Sequence, residues 1–406
     1  MAIPAFARMY SYSCSTCHDP GYGQLNKFGY KFRAAGYRIP TDIGKEMNDG
    51  KFDVTNYIAA RYTAGLSATT KTNADGSPTP DNASFTLGGA SIFVGGGISK
   101  NFFSYSELGL GNGTGIFSGS APTFSDVKIG YVTGSENDFF TLRIGKFGAD
   151  GFAGSDRGPV GNATIAGTVR PTGTGAELGY THDDTRVTLA FYDGIQNTQY
   201  TGLDSTSNGT PATTSTLQAP TADSNNAKDI QLFVNQFIGD DGTAINAEFY
   251  NGFNGAVNFD GTPTTPKTGG TGDASGQEWY NTALFISFPV IKNLSFKAGG
   301  EYGQTGTGIF AANGSGSGAT AGFFGEVDYE MDEITPLVFR WDSTTANVNA
   351  ANADTQKFTL GALTPFVQQV YMNPTFTLTN AHSTVAGYAA SYNDTFAFTD
   401  SLSVFF

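Results

Sequence analysis

The chain has 406 residues and a formal net charge of −14, with 54 glycines, 34 phenylalanines and 19 tyrosines. Charged residues make up 14%, against roughly 25% in soluble domains, while 39% hydrophobic content is too rich for a disordered chain. No apolar run reaches the ~18 residues of a spanning helix, and the acidic balance excludes a strongly basic nucleic-acid binder.

What remains is a Gly-rich, aromatic-rich, charge-poor chain, the composition of a large β-barrel. Residues 1–50 stand apart. They hold six Lys/Arg and four Asp/Glu, a net of +2, so residues 51–406 carry −16. We read 1–50 as a small module and 51–406 as the barrel. The stretch from Gln24 to Ala35 is compatible with a helix. A module of this size buries too little core alone, so a cofactor or a surrounding wall must supply the rest. Met1-Ala2-Ile3-Pro4 shows no basic n-region followed by an apolar h-region. For an exported protein the expectation is a signal peptide removed before this numbering.

Both cysteines of the chain lie in Cys14-Ser15-Thr16-Cys17-His18. C-x-x-C-H is the attachment motif of c-type haem. Two thiols add to the haem vinyls, and the adjacent imidazole becomes the proximal iron ligand. A dithiol redox pair would sit beside a βαβ pattern, and a zinc site would need further Cys or His nearby; the sequence has neither. The distal ligand is open. Met47 lies in the same module and is the first candidate. Met9 is close to Cys14 in sequence, His182 adjoins an acidic turn, and His382 follows a strand near the C-terminus.

Residues 51–406 alternate with period 2 again and again, as in Arg186-Val187-Thr188-Leu189-Ala190-Phe191 and Leu294-Ser295-Phe296-Lys297-Ala298. Such strands have one apolar and one polar face. Short turns at 99–101, 135–138, 183–184, 240–242, 291–293 and 332–333 alternate with long loops at 113–123, 148–172, 195–227, 255–276, 305–319 and 345–355. Outer-membrane barrels have short periplasmic turns and long extracellular loops, and counting hairpins gives about 16 strands. The expected fold is mainly β, an antiparallel outer-membrane barrel with a small N-terminal haem c module plugging its lumen. Lys128, Arg143, Arg186, Glu248, Lys297, Glu301, Glu326, Asp328, Arg340 and Asp342 fall on the inward parity. There they would tune ion selectivity or pair with Lys27, Lys31, Arg33 and Arg38 of the module. Lys146 shares the outward parity of Leu142 and Ile144 and must snorkel. Phe102-Phe103, Phe139-Phe140 and Trp279-Tyr280 suit an aromatic girdle, and the terminal Ser403-Val404-Phe405-Phe406 suits a final barrel strand.

Ala5-Phe6-Ala7-Arg8, then Cys14 to His18, then Leu25-Asn26-Lys27-Phe28-Gly29, Phe32 and Gly36-Tyr37 resemble the N-terminal signature of the fused cytochrome–porin iron oxidases. Met9-Tyr10-Ser11 and Tyr30 depart from that pattern. The resemblance covers about the first 40 residues; over the barrel it is architectural only. It implies one covalent haem c that carries electrons from extracellular Fe(II) to a periplasmic c-type cytochrome or another periplasmic carrier, within outer-membrane lipid. Asp150, Asp156, Asp204, Asp223 and Asp260 are candidate iron ligands because hard cations prefer oxygen. Two other readings stay open: a diffusion porin whose haem segment is a tether or gate, and a haem conduit for a donor other than iron.

Overall fold

The computed structural model describes residues 4–18, 25–47, 53–72, 77, 80–110, 123–148, 172–192, 229–239, 242–253, 278–291, 293–305, 318–331, 335–345, 353–367, 370–383 and 391–405. Two short helices come first, α1 (Pro4–Tyr10) and α2 (Lys27–Ala34). Pro4 suits the first helical position, where its missing N–H costs nothing. Asn26 caps α2, and Lys31 and Arg33 sit in its last turn, where cations complement the helix dipole. The helix stops at Gly36, with φ of 76°, as the Tyr37 N–H returns to the Phe32 carbonyl.

Seventeen strands follow: β1 (Ile58–Thr72), β2 (Asn82–Gly97), β3 (Phe102–Gly109), β4 (Thr123–Gly134), β5 (Asp138–Gly148), β6 (Thr172–His182), β7 (Thr185–Tyr192), β8 (Asp229–Ile238), β9 (Thr243–Phe253), β10 (Glu278–Ile291), β11 (Leu294–Thr305), β12 (Gly318–Glu330), β13 (Pro336–Thr345), β14 (Ala353–Ala362), β15 (Thr364–Val367), β16 (Val370–Ser383) and β17 (Ser391–Phe405). Apart from β14 and β15, consecutive strands pair antiparallel, and β1 pairs with both β2 and β17. β14 and β15 both pair with β16 and are one wall position interrupted at Leu363. The result is a closed barrel of 16 strand positions. Closure leaves no sheet edge, the condition for strands to stand in hydrocarbon.

The turns explain the register. Two-residue connections need left-handed backbone, which Asp, Asn and Gly tolerate. Asp183 (φ 47°) links β6 to β7, Asn293 (φ 75°) links β10 to β11, and Gly242 (φ 88°) leads into β9. The short turns expected at 99–101, 135–138 and 183–184 are found between strands at one mouth of the barrel; those at 240–242, 291–293 and 332–333 fall wholly or partly outside the described residues.

β5 shows what the alternation does. Phe139, Thr141, Arg143 and Phe147 are buried inside, while Phe140 (58% exposed), Leu142 and Ile144 face out. Leu178, Leu232, Leu284, Phe323 and Phe339 are likewise exposed on other strands. An apolar surface running round a whole barrel would cost roughly 25 cal/mol per Å² in water and is instead solvated by lipid tails. With closure, this places the chain in the bacterial outer membrane. Lys146 faces out near a strand end, and its ammonium donates to the Phe124 carbonyl at 2.9 Å. The girdle expectation needs one correction: of each Phe pair only Phe102 and Phe140 face out, while Phe103 and Phe139 are buried inside. Adjacent strand residues cannot share a face. The side chains of Trp279 and Tyr280 lie outside the described residues.

All ten inward-parity charges do point inward: Lys128, Arg143, Arg186, Glu248, Glu301, Glu326, Asp328, Arg340 and Asp342 are buried, and Lys297 is nearly so. They pair across strands. Arg143 bridges to Glu177, Arg186 reaches the same Glu177 at 3.6 Å, and Lys297 donates to Glu326 at 2.9 Å and also meets Asp328. Arg340 completes that group on Glu326. Glu107, Asp126, Glu177 and Asp229 belong to the same inner face. Period-2 parity in β3, β4, β6 and β8 was the signal for them.

Candidate functional site

The N-terminal module packs against the inner wall at the short-turn mouth. Ala5, Phe32, Ala34, Ala35 and Tyr37 form one cluster with Phe93, Phe103, Tyr105, Val132 and Phe139 of β2 to β5. Leu25 and Tyr30 form another with Phe233, Phe237 and Ala244 of β8 and β9. The wall thus provides the apolar burial that fifty residues cannot provide for themselves. A Cβ at Gly36 would overlap the Phe103 ring, so glycine is needed there for space as well as for its positive φ.

Polar contacts fix the module at two places. Arg38 is fully buried, and its guanidinium donates to the carbonyls of Ser99 (3.1 Å), Lys100 (2.6 Å) and Phe102 (2.8 Å) around the β2–β3 turn. At the other end of α2, Lys27 and Lys31 both contact Asp184 in the β6–β7 turn, at 2.8 and 3.1 Å, and Lys27 reaches the Gly239 carbonyl. Arg33 lies 5.3 Å over the Tyr30 ring. The contacts described take Lys27, Lys31 and Arg38 to the turns and Arg33 to the Tyr30 ring. Lys128, on the wall, is bonded to Asp126 and lies 5.8 Å from the Tyr37 ring of the module.

Asp184 gives this seat a pH dependence. Partial burial raises its carboxyl, but hydrogen bonds and charge from Lys27 and Lys31 outweigh burial and hold it below its ordinary value. A depressed carboxyl stabilises fully above its unfolded value, near 4, and loses that contribution as pH falls through the folded one. Both partners are partly exposed, so each pair contributes up to about 1 kcal/mol. The module should therefore become more accessible to protease below about pH 4, and Asp184→Asn should abolish that response. Identical pH profiles for the two proteins would contradict it.

The Cys14–His18 turn lies against the N-terminus of α2. Cys14–Thr16 is a single 3-10 turn, and His18 is buried and bridged to Leu25. The Asn26 N–H donates to the Cys17 carbonyl at 3.1 Å. Gly29, on the facing side of α2, touches the same carbonyl, and a Cβ there would overlap it. Cys17 is half-buried; the Cys14 side chain lies outside the described residues.

The candidate distal ligands are scattered. Met47 lies against Gly97 and the Arg38 guanidinium at the β2–β3 turn, whereas Leu25, beside His18, packs on β8 and β9. Met9 approaches Gly96. His182 is exposed at the β6 end, 3.6 Å from Asp183. His382 lies toward the long-loop end of β16, the far mouth from the module, and its side chain is outside the described residues. Asp150, Asp156, Asp204, Asp223 and Asp260 also lie outside the described residues. Among the described residues no His, Cys, Asp and Glu cluster suited to a bare metal ion occurs.

No family model matches the chain, and no curated sequence does. Solved structures do. The barrel is similar to the outer membrane channel DcaP of Acinetobacter baumannii, at 11% identity and a TM-score of 0.51, over 85% of this chain and 96% of that one. It is equally similar to an anion-selective porin from Comamonas acidovorans, at 7% identity and a TM-score of 0.51, over 86% and 99%. The chain has a porin-like fold. At these identities the likeness concerns the fold alone.

Proposed function

We propose that the protein is an outer-membrane electron conduit built around one covalent haem c. The observation that carries this reading is the Cys14–His18 turn, anchored on α2 within the mouth of a closed barrel. The residues fit such a group by donor chemistry: two thiols with two residues between them and an adjacent buried imidazole, all on one turn. Cys14 and Cys17 would hold the haem and His18 would bind its iron; Met47 stands as a candidate distal ligand. When bound, haem c supplies one-electron transfer. Around it the chain excludes water through the Phe32 and Tyr30 clusters and holds the turn at a fixed place in the wall. A haem held by this turn would stand at the short-turn mouth and would shorten the electron path across a hydrocarbon layer about 30 Å thick. Fe(II) is the donor that the N-terminal signature favours, and a periplasmic cytochrome or similar carrier is the acceptor.

A second reading, a diffusion porin with a tethered or gating cytochrome segment, is favoured by the likeness to two outer-membrane channels. One set of measurements tests both. Purified protein should stain for haem after denaturing electrophoresis, lose the stain in Cys14→Ala/Cys17→Ala, and have its haem reduced rapidly by Fe(II). Protein without haem that conducts like an open porin would establish the second reading. Reduction by other small donors but not by Fe(II) would leave a conduit for a different donor.

A further inference from the structure

The Asn26 side chain makes more contacts than a helix cap requires. Its Oδ1 accepts from the Gly29 N–H at 2.9 Å, the ordinary capping bond. Its Nδ2 points the other way and donates to the carbonyls of Thr16 (3.1 Å) and Ser15 (3.3 Å). Its own N–H takes the Cys17 carbonyl at 3.1 Å. Three successive carbonyls, those of residues 15, 16 and 17, therefore converge on one residue of a different segment. These are the peptides between the two thiols and the imidazole. Their dihedrals decide how far apart Cys14 and Cys17 point and where His18 stands relative to both.

We propose that Asn26 is the positioning residue of the haem-attachment turn: its amide holds the 15–17 backbone in the geometry that presents both thiols and the His18 imidazole to one porphyrin. The proposal rests on the haem reading above. The amide is the group required, because its two ends have separable duties. The oxygen serves α2 and the nitrogen serves the turn. Aspartate retains the cap, since Asp is as good an N-cap as Asn, but it has no donor. It would also set a carboxylate against two carbonyls. Serine retains a cap without that charge and without the donor.

The test compares wild type, Asn26→Asp and Asn26→Ser as full-length chains in detergent. Three quantities are read: covalent haem per chain, the ratio of reduced to oxidised haem at a fixed ambient potential, and protection of the module from protease. Both variants lose the two hydrogen bonds from the amide nitrogen, so haem loading or the redox ratio should move about tenfold or more while protease protection stays at the wild-type level. Haem-loaded variants that match wild type in both haem readouts would overturn the proposal alone. Haem loss that merely tracks loss of protease protection in both variants would also overturn it, since Asn26 would then act through folding. A wild-type chain that carries no covalent haem would remove the haem reading, and this proposal with it.

Discussion

Replacing Arg38 with methionine should release the N-terminal module from the barrel mouth. The side chain is fully buried and donates to three backbone carbonyls, those of Ser99, Lys100 and Phe102. These carbonyls flank a short turn; that of Phe102 also accepts from the Ile98 and Ser99 N–H groups, and that of Lys100 from the Gly44 N–H. Methionine fills similar volume, so the change removes donors and charge more than packing. A hydrogen bond from a charged group contributes about 1.5–3 kcal/mol. Three of them, partly offset by water reaching the turn, amount to roughly 3 kcal/mol or more of docking. The barrel itself has no stake in this contact beyond one turn. The expected result is a protease-sensitive module on a barrel that keeps its compact electrophoretic mobility before heating. An Arg38→Met module as protected as wild type would show that the apolar clusters alone hold it.

Gly29→Ala should detach the Cys14–His18 turn from α2. The added methyl would overlap the Cys17 carbonyl oxygen, with the Cys17 carbonyl carbon and Cα close behind. These are backbone atoms already committed to Asn26, and they cannot swing aside as a side-chain tip would. Overpacking of this kind costs about 1–3 kcal/mol even in cores able to adjust, and here both partners are main chain. Either the turn leaves the helix or α2 tilts off the wall, and both break the His18–Leu25 bridge. Covalent haem per chain should fall severalfold while the barrel stays folded. Normal haem content in Gly29→Ala would mean that the turn and α2 are not packed this closely. The clash also gives a physical reason for glycine four residues after Leu25: the position faces a peptide, and a Cβ there meets main chain.

The two substitutions fail at opposite ends of α2 and for different reasons. Arg38 secures the C-terminal side of the helix to the β2–β3 turn. Gly29 and Asn26 secure the candidate cofactor turn to its N-terminal side. Lys27 and Lys31 tie that same side to Asp184. The helix is eight residues long, about 12 Å, and acts as a strut between separate sectors of one wall. Their effects on docking should be close to additive where the sites share no partner.

Period 2 made the barrel legible without a structure. Arg186, Lys297 and Arg340 lie on the inward parity of their strands because a strand has only two faces, and lipid admits only one kind of residue on its side. The alternation of short turns and long loops was equally plain, since a two-residue turn demands residues such as Asp183 and Asn293 that tolerate left-handed backbone. The Cys14–His18 motif was legible because five adjacent residues carry all its donors. What the sequence by itself determined, then, was everything set by neighbours in the chain: strand faces, turns, and the donor set of the candidate site. Contacts between residues far apart in the chain were decided only by the tertiary structure. Nothing local says that Arg38 ends on the carbonyls around residue 100, that Lys27 meets Asp184, or that Met47 rests on Gly97 while His18 pairs with Leu25 near β8 and β9. Those pairings depend on where closure brings each turn round the barrel mouth, and closure is a property of all sixteen wall positions together.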